Sequence, residues 1–255
     1  MTRVQSRPSH LGLMAAALAF GIGLSAAEAA DATRDEVVAI IAQTAKGAKP
    51  DLSRRNLSGI DLSGIDFRGA DLFAAVLEGS DLRSANLTHV NLNRAILRGA
   101  DLSDANLSGA SLYAVVLNGA NLSGANLSAT RIIGELQEVR ATGAKFIDAD
   151  LGADGANQGM VPVRVDLSRA LLNGADFTRA NLAHAVLEFA DLRSAQLANA
   201  RFEWAKLAGA NLEDANVAGA DFTNAELDGA SLGKLKGAHK ARGLEASELS
   251  QGAHP

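Results

Sequence analysis

The chain contains no cysteine in 255 residues, and only four prolines, one tryptophan and one tyrosine. Without a thiol, neither a disulfide framework nor a lipid-bearing cysteine anchor is available. Long apolar runs are missing as well: Leu11 to Leu24 is fourteen residues, short of the roughly 20 a helix needs to cross a bilayer. Histidine is scattered, with His89 and His184 far apart and His239 and His254 near the C-terminus, and no set of His, Asp and Glu has metal-ligand spacing. A Walker phosphate loop, a dinucleotide-binding glycine fingerprint and a Ser-His-Asp arrangement are absent. These gaps point away from an enzyme and imply neither a resident metal nor a cofactor.

What the sequence has instead is a period of five. An apolar residue falls on every fifth position from Leu52 to Ile132, and again in the same phase from Leu167 to Leu232. On an α-helix, at ~100° per residue, a five-residue step turns each leucine by ~140°, so no apolar stripe forms. On a straight strand an odd period sends successive leucines to opposite faces. The pattern buries its leucines only if the chain turns a corner in every unit. Ala and Leu, two residues apart, then point inward from one short extended piece, and the residues after Leu bend outward. Gly59, Gly64, Gly69, Gly79, Gly99 and Gly119 lie two residues after the apolar site, where a left-handed turn residue is needed. Asp and Asn before the leucine suit the same corners, because their short side chains bond nearby backbone. Four corners close a square coil of twenty residues, and coils stacked at ~4.8 Å pair in parallel.

Ala70-Asp71-Leu72, Gly119-Ala120-Asn121-Leu122-Ser123-Gly124-Ala125-Asn126-Leu127 and Gly209-Ala210-Asn211-Leu212 resemble the pentapeptide repeat proteins, and the resemblance covers roughly residues 50–235. It implies an all-β solenoid, a right-handed quadrilateral parallel β-helix, here of about nine coils and ~40–45 Å long. The handedness comes from the resemblance, not from the period.

The ends read differently. Residues 1–29 run from Arg3, Arg7 and His10 through the apolar stretch to Ala27-Glu28-Ala29, the order of a secretory signal peptide. The mature protein is therefore expected in the periplasm or secreted, with no membrane span once the signal is removed. In residues 30–49, Thr33 and Glu36 have capping-box spacing before Val37, Val38, Ile40 and Ile41, which predicts a short helix covering the first coil. The first repeat block occupies 50–133, irregular repeats and a loop 134–166, the second block 167–235 and a C-terminal cap or tail 236–255. Within the break, Leu136, Ala141, Phe146 and Leu151 continue the lattice one residue out of phase. Gly152 to Arg164 then reads as a loop off one edge, bearing Met160, Val161 and Val163.

Three departures mark a candidate interface. Val76, Ile96 and Val116 replace Asp or Asn before the leucine at twenty-residue spacing, so they stack into one outward column. Phe73 and Tyr113 precede that column on the adjoining face. With Met160, Val161 and Val163 of the loop they are the apolar surface expected to meet a partner. Leu171, Val186, Phe189 and Trp204 are also outward in the second block, on faces the sequence leaves unassigned. The expected role is a non-enzymatic exported scaffold that binds a protein or envelope component, with a homodimer through the C-terminal end left open. The alternative comes from the resemblance: family members that act on type II topoisomerases mimic DNA with strongly acidic faces. Residues 50–235 hold 23 acidic and 16 basic residues, against roughly 25 charges on B-DNA of that length, so nucleic-acid mimicry is poor and nucleic acid itself is not an expected partner.

Overall fold

The structure, a computed structural model, describes residues 30–45, 47–153 and 164–244. The expected signal segment 1–29 and the loop residues Met160, Val161 and Val163 lie outside the described residues.

Among the described residues each regular unit of five turns once. In the unit at Phe67, the Phe67 carbonyl accepts the Ala70 N–H at 2.8 Å, with Gly69 at φ 77° in the third place of the turn. A left-handed third residue is the mark of a type II turn, and it explains the glycine preference at this position. The Asp or Asn before the apolar residue closes the corner from outside: Asp61 Oδ1 accepts the Ser63 backbone N–H at 2.9 Å and its hydroxyl at 2.6 Å. Between corners the chain is extended just long enough to pair with the next coil. Asp71 N–H donates to the Pro50 carbonyl at 2.8 Å, Leu72 N–H to Asn91 at 3.0 Å and Ala74 N–H to Asn93 at 2.8 Å. Among the described residues only Ser111–Val116 (β1) and Arg131–Glu135 (β2) are long enough to count as strands, and they are parallel.

Four columns of paired residues run along the molecule, lettered here A to D in chain order. Column A links Asp51, Asp71, Asn91, Ser111, Arg131, Asp150, Asn181, Arg201, Asp221 and Arg242. Column B links Asn56, Val76, Ile96, Val116, Glu135, Asp166, Val186, Lys206 and Glu226. Column C begins at Asp61 and column D at Asp66. Inside, the alanines and leucines form one continuous core: Leu72, Leu92, Leu112, Ala120 and Leu122 are fully buried. Phe146 stacks on Phe177 at 4.5 Å and Phe202 on Phe222 at 4.9 Å, ring on ring across successive coils. Ser80 and Thr130 take alanine's buried place, and each hydroxyl donates to the turn carbonyl three residues before it, at 2.8 and 2.6 Å. A polar atom in the core is thereby satisfied locally.

Arg34–Gln43 forms helix α1, opened by a capping box between Thr33 and Glu36. Val37 is fully buried, Ile40 and Ile41 pack against the core, and Arg34 reaches Asp61 and the Ser63 carbonyl. Asp31 extends the ladder ahead of the first coil, donating to the Asn56 carbonyl at 2.7 Å.

The break occupies one corner, between columns A and B. In β2 the register runs Tyr113 to Ile133 and then Val115 to Gly134, so Ala114 faces no partner and that corner is one residue short. Gly134 takes φ 151°, and a Cβ there would lie 2.0 Å from the Val115 carbonyl oxygen. Leu136, Ala141, Phe146 and Leu151 are all fully buried in the shifted phase. One coil later the same corner is lengthened. Glu135 pairs with Asp166, Arg140 with Leu171, Lys145 with Asp176 and Asp150 with Asn181, each 31 residues apart where regular coils pair at 20. The shortened and lengthened corners thus lie one above the other, and all four columns pass the break without losing a partner.

Candidate interaction face

Columns A, C and D carry mostly Asp and Asn, and their side chains are engaged with the rod itself. Stacked amides hand a hydrogen bond down the column: Asn91 to Asp71 at 2.9 Å, Asn121 to Asp101 at 3.0 Å and Asn181 to Asp150 at 2.8 Å. Along Asp61, Asp81 and Asp101, each carboxylate has its own partner. Arg34 binds Asp61, Arg83 binds Asp81 at 2.6 Å, and Ser103 and Asn121 donate to Asp101. The Ser63 hydroxyl and then its backbone N–H hold the Asp61 carboxyl below the usual carboxylate range, and the Arg83 guanidinium does the same for Asp81. Arg68 with Asp66, Arg179 with Asp148 and Arg193 with Asp191 repeat that neutralisation elsewhere. Among the described residues no group of His, Asp and Glu could hold a metal ion.

Column B differs. Val76, Ile96 and Val116 follow one another in unbroken pairing, half-buried between their neighbours. Phe73 and Tyr113 lie at the corner between columns A and B, also half-buried, with the Arg54 guanidinium 5.8 Å from the Phe73 ring centroid. Beyond the break, Val186 resumes the column. Trp204 stands at the A–B corner, stacked nearly parallel to His184 at 6.3 Å. Phe189 stands at the opposite border of the same face, and a Cβ on Gly209 of the next coil would touch its ring at 2.6 Å. The shortened corner leaves a notch of about 360 Å³ on this face, lined by Val115, Val116, Gly134, Glu135, Asp166 and Val186 among others.

Phe189 and Trp204 are 62% and 56% exposed, and both have left-handed backbone, φ 58° and 61°. A left-handed residue with a side chain costs about 1–2 kcal/mol relative to the ordinary region. Neither burial nor local backbone preference accounts for large aromatic rings at these two corners. Leu171, on column C, and Val38, on α1, are the other large apolar residues left exposed among those described. The structure therefore brings Val76, Ile96, Val116, Phe73 and Tyr113 onto one face and its edge, and adds Val186, Phe189 and Trp204. The sequence leaves these last three unassigned, because their face depends on the corner at which the chain re-enters after the insertion, and the pairing of Glu135 with Asp166 fixes it.

Residue columns at twenty-residue steps, four to a coil, define a parallel β-helix of square section assembled from five-residue units. The chain belongs to the pentapeptide repeat family, whose members fold as right-handed β-helices: eight copies of the repeat match over residues 51–88, 105–134, 163–197 and 195–233. HetL, a pentapeptide repeat protein involved in heterocyst differentiation regulation from the cyanobacterium Nostoc sp. strain PCC 7120, is 30% identical over 80% of this chain and 94% of its own, with a TM-score of 0.46. Full-length QnrB1, a plasmid-mediated fluoroquinolone resistance protein, shares the fold at 21% identity and a TM-score of 0.52, over 77% of this chain and 95% of its own. No curated protein sequence matches at a significant level.

Proposed function

We propose that the protein is a non-enzymatic exported scaffold: a stiff rod of about nine coils, covered at its first coil by α1, that binds an envelope protein through column B. One observation carries this reading. On a surface whose other columns spend their Asp and Asn side chains on their own turns and neighbours, Val76, Ile96 and Val116 form a continuous, half-buried apolar column that faces outward among the described residues. The order of charge, apolar stretch and small residues in 1–29 supports export to the periplasm or beyond. DNA mimicry is the weaker reading, because arginines bind Asp66, Asp81, Asp148 and Asp191 directly and break up an acidic surface.

Asparagine occupies the position before the leucine in many units, so Val76→Asn, Ile96→Asn and Val116→Asn together keep the turn chemistry intact. The triple variant is expected to melt within a few degrees of the parent by circular dichroism and to lose about tenfold or more in capture of its envelope partner, on the order of 1.4 kcal/mol. Capture unchanged by the triple substitution contradicts the assignment. A product recovered uncleaved from the cytosol contradicts export.

A further inference from the structure

We infer that Trp204 and Phe189 hold a short, non-acidic oligosaccharide, with a sugar unit stacked on each ring and the chain between them crossing the face of column B in the second block. The site is separate from Val76, Ile96 and Val116, and it does not depend on the scaffold reading above.

The two rings stand at one level of the rod. Phe189 belongs to the coil before Trp204, but its ring lies over Gly209, with Cδ1 and Cε1 2.6 Å from where a Cβ on that glycine would stand. Gly209 follows Trp204 by five residues, at most ~18 Å of extended chain, so the rings border the two sides of a single face. Lys206 stands between them, with Val186 before it and Glu226 after it in the column. The His184 ring lies parallel to that of Trp204 on one side, 6.3 Å between centroids, and Asn224 takes the same corner in the next coil.

Size, shape and charge select the ligand. An aromatic side chain presents ~150–250 Å², so at 62% and 56% exposure the pair offers roughly 200–300 Å², against about 800 Å² per partner in a standard protein interface. That shortfall turns the site away from a folded partner or a second copy. A wholly apolar small molecule is taken up in an enclosed pocket, whereas these rings stand at two open corners with an ion pair between them. Lys206 lies 3.7 Å from Glu226, and Arg201 lies 3.1 Å from Glu203, so the cations beside the rings are neutralised within the rod. On the Phe189 side, Glu188 and Asp228 have no ion pair among the described residues, and an acidic ligand meets like charge there. What fits is a molecule with apolar faces and uncharged polar edges. A pyranose with equatorial hydroxyls lays its C–H face on an aromatic ring, while its edge donates to the Glu226 carboxylate and accepts from the Lys206 ammonium or the Asn224 amide.

Trp204 is the only tryptophan in the chain, so its emission reports occupancy of the site directly. The probes titrated into the full chain are cellotetraose, tetra-N-acetylchitotetraose, glucose and tetragalacturonic acid. A saturable shift of Trp204 emission is expected with one or both neutral tetrasaccharides, and none with tetragalacturonic acid at the same concentrations. Glucose, which reaches one ring at a time, is expected to bind about tenfold more weakly. Phe189→Gly, at a left-handed corner where glycine is the common residue, retains the reporter and is expected to weaken the tetrasaccharide about tenfold. Read by titration calorimetry, Trp204→Gly is expected to lose about tenfold or more, and Trp204→Phe, which keeps a ring, to recover most of that loss.

Emission unmoved by both neutral tetrasaccharides overturns the inference, as does equally tight binding of glucose or of tetragalacturonic acid, or unchanged binding by Phe189→Gly. A shift on diluting the protein alone assigns the rings to a second copy and also overturns it. The variant carrying Val76→Asn, Ile96→Asn and Val116→Asn is expected to bind the tetrasaccharide as the parent does, and a loss there overturns the separate site. If the sugars leave Trp204 unmoved while that triple variant still loses its envelope partner, the scaffold reading survives and the inference does not.

Discussion

Gly134→Ala is expected to be among the most damaging single-methyl additions the chain can receive, lowering stability by about 2–6 kcal/mol. The figure combines a backbone region that only glycine enters comfortably with overpacking against atoms that cannot yield. Gly134 has φ 151°, and the added Cβ would lie 2.0 Å from the oxygen, 2.9 Å from the nitrogen and 3.0 Å from the carbonyl carbon of Val115. Those atoms belong to β1, whose residues on both sides pair with β2, so relief of the clash requires the ladder to open. Gly99→Ala is the matched comparison. Gly99 is also left-handed, φ 61°, but a Cβ there meets nothing within 4 Å, so only the conformational cost of about 1 kcal/mol remains. Urea titrations of the two variants measure the difference. Equal midpoints contradict the account of the shortened corner, because they mean that the missing residue is accommodated somewhere other than beside Val115.

Phe177→Ala is the second large effect, a loss of about 3–5 kcal/mol. Phe177 is fully buried and its ring lies 4.5 Å from that of Phe146, at an interplanar angle of 3°. The two side chains join coils whose residues are paired 31 positions apart, where regular coils pair at 20. Removing the ring leaves a cavity between coils that contact only their neighbours. In a nearest-neighbour stack, weakening one interface lowers cooperativity as well as total stability. A lower midpoint in urea is therefore expected together with a shallower or biphasic transition. Phe189→Ala serves as contrast: that ring is more than half exposed, and its removal is expected to change stability by no more than about 0.5 kcal/mol. Comparable losses at Phe177 and Phe189 contradict the assignment of one to the core and the other to the surface.

Most of the architecture was legible because a five-residue period has so few structural solutions. Leu52 to Ile132 and Leu167 to Leu232 are in phase, and the shifted sites Leu136, Phe146 and Leu151 prove as buried as the regular ones. Thr33 and Glu36 announced the capping box that opens α1. The face of each residue beyond the break was harder to read, for a physical reason. A period of five says that a corner has been reached and leaves open which of four it is. The order of faces survives a long insertion only if the chain leaves and re-enters at one corner, which Asp150 and Asp166 do here. Once that is known, Val186 falls in line with Val116, while Leu171 falls on a different face. The outward aromatics at left-handed positions illustrate a second limit. Twenty-residue spacing places Phe189 under Gly209, but its exposure depends on how the ring lies across the corner.

Absence of cysteine makes the central claim, that consecutive coils pair in four continuous columns through the break, open to a direct measurement. Adjacent paired residues lie within the 4.4–6.8 Å Cα separation that a disulfide accepts, roughly one coil step of ~4.8 Å. Asn121→Cys with Arg140→Cys tests the shortened coil, 19 residues apart, and Arg140→Cys with Leu171→Cys tests the lengthened one, 31 apart. Arg140→Cys with Asp176→Cys, on columns C and D, is the control. Under mild oxidation the first two pairs are predicted to cross-link rapidly and intramolecularly while the control stays reduced. Failure of the 31-residue pair, or cross-linking of the control at the same rate, would contradict the continuous four-column rod.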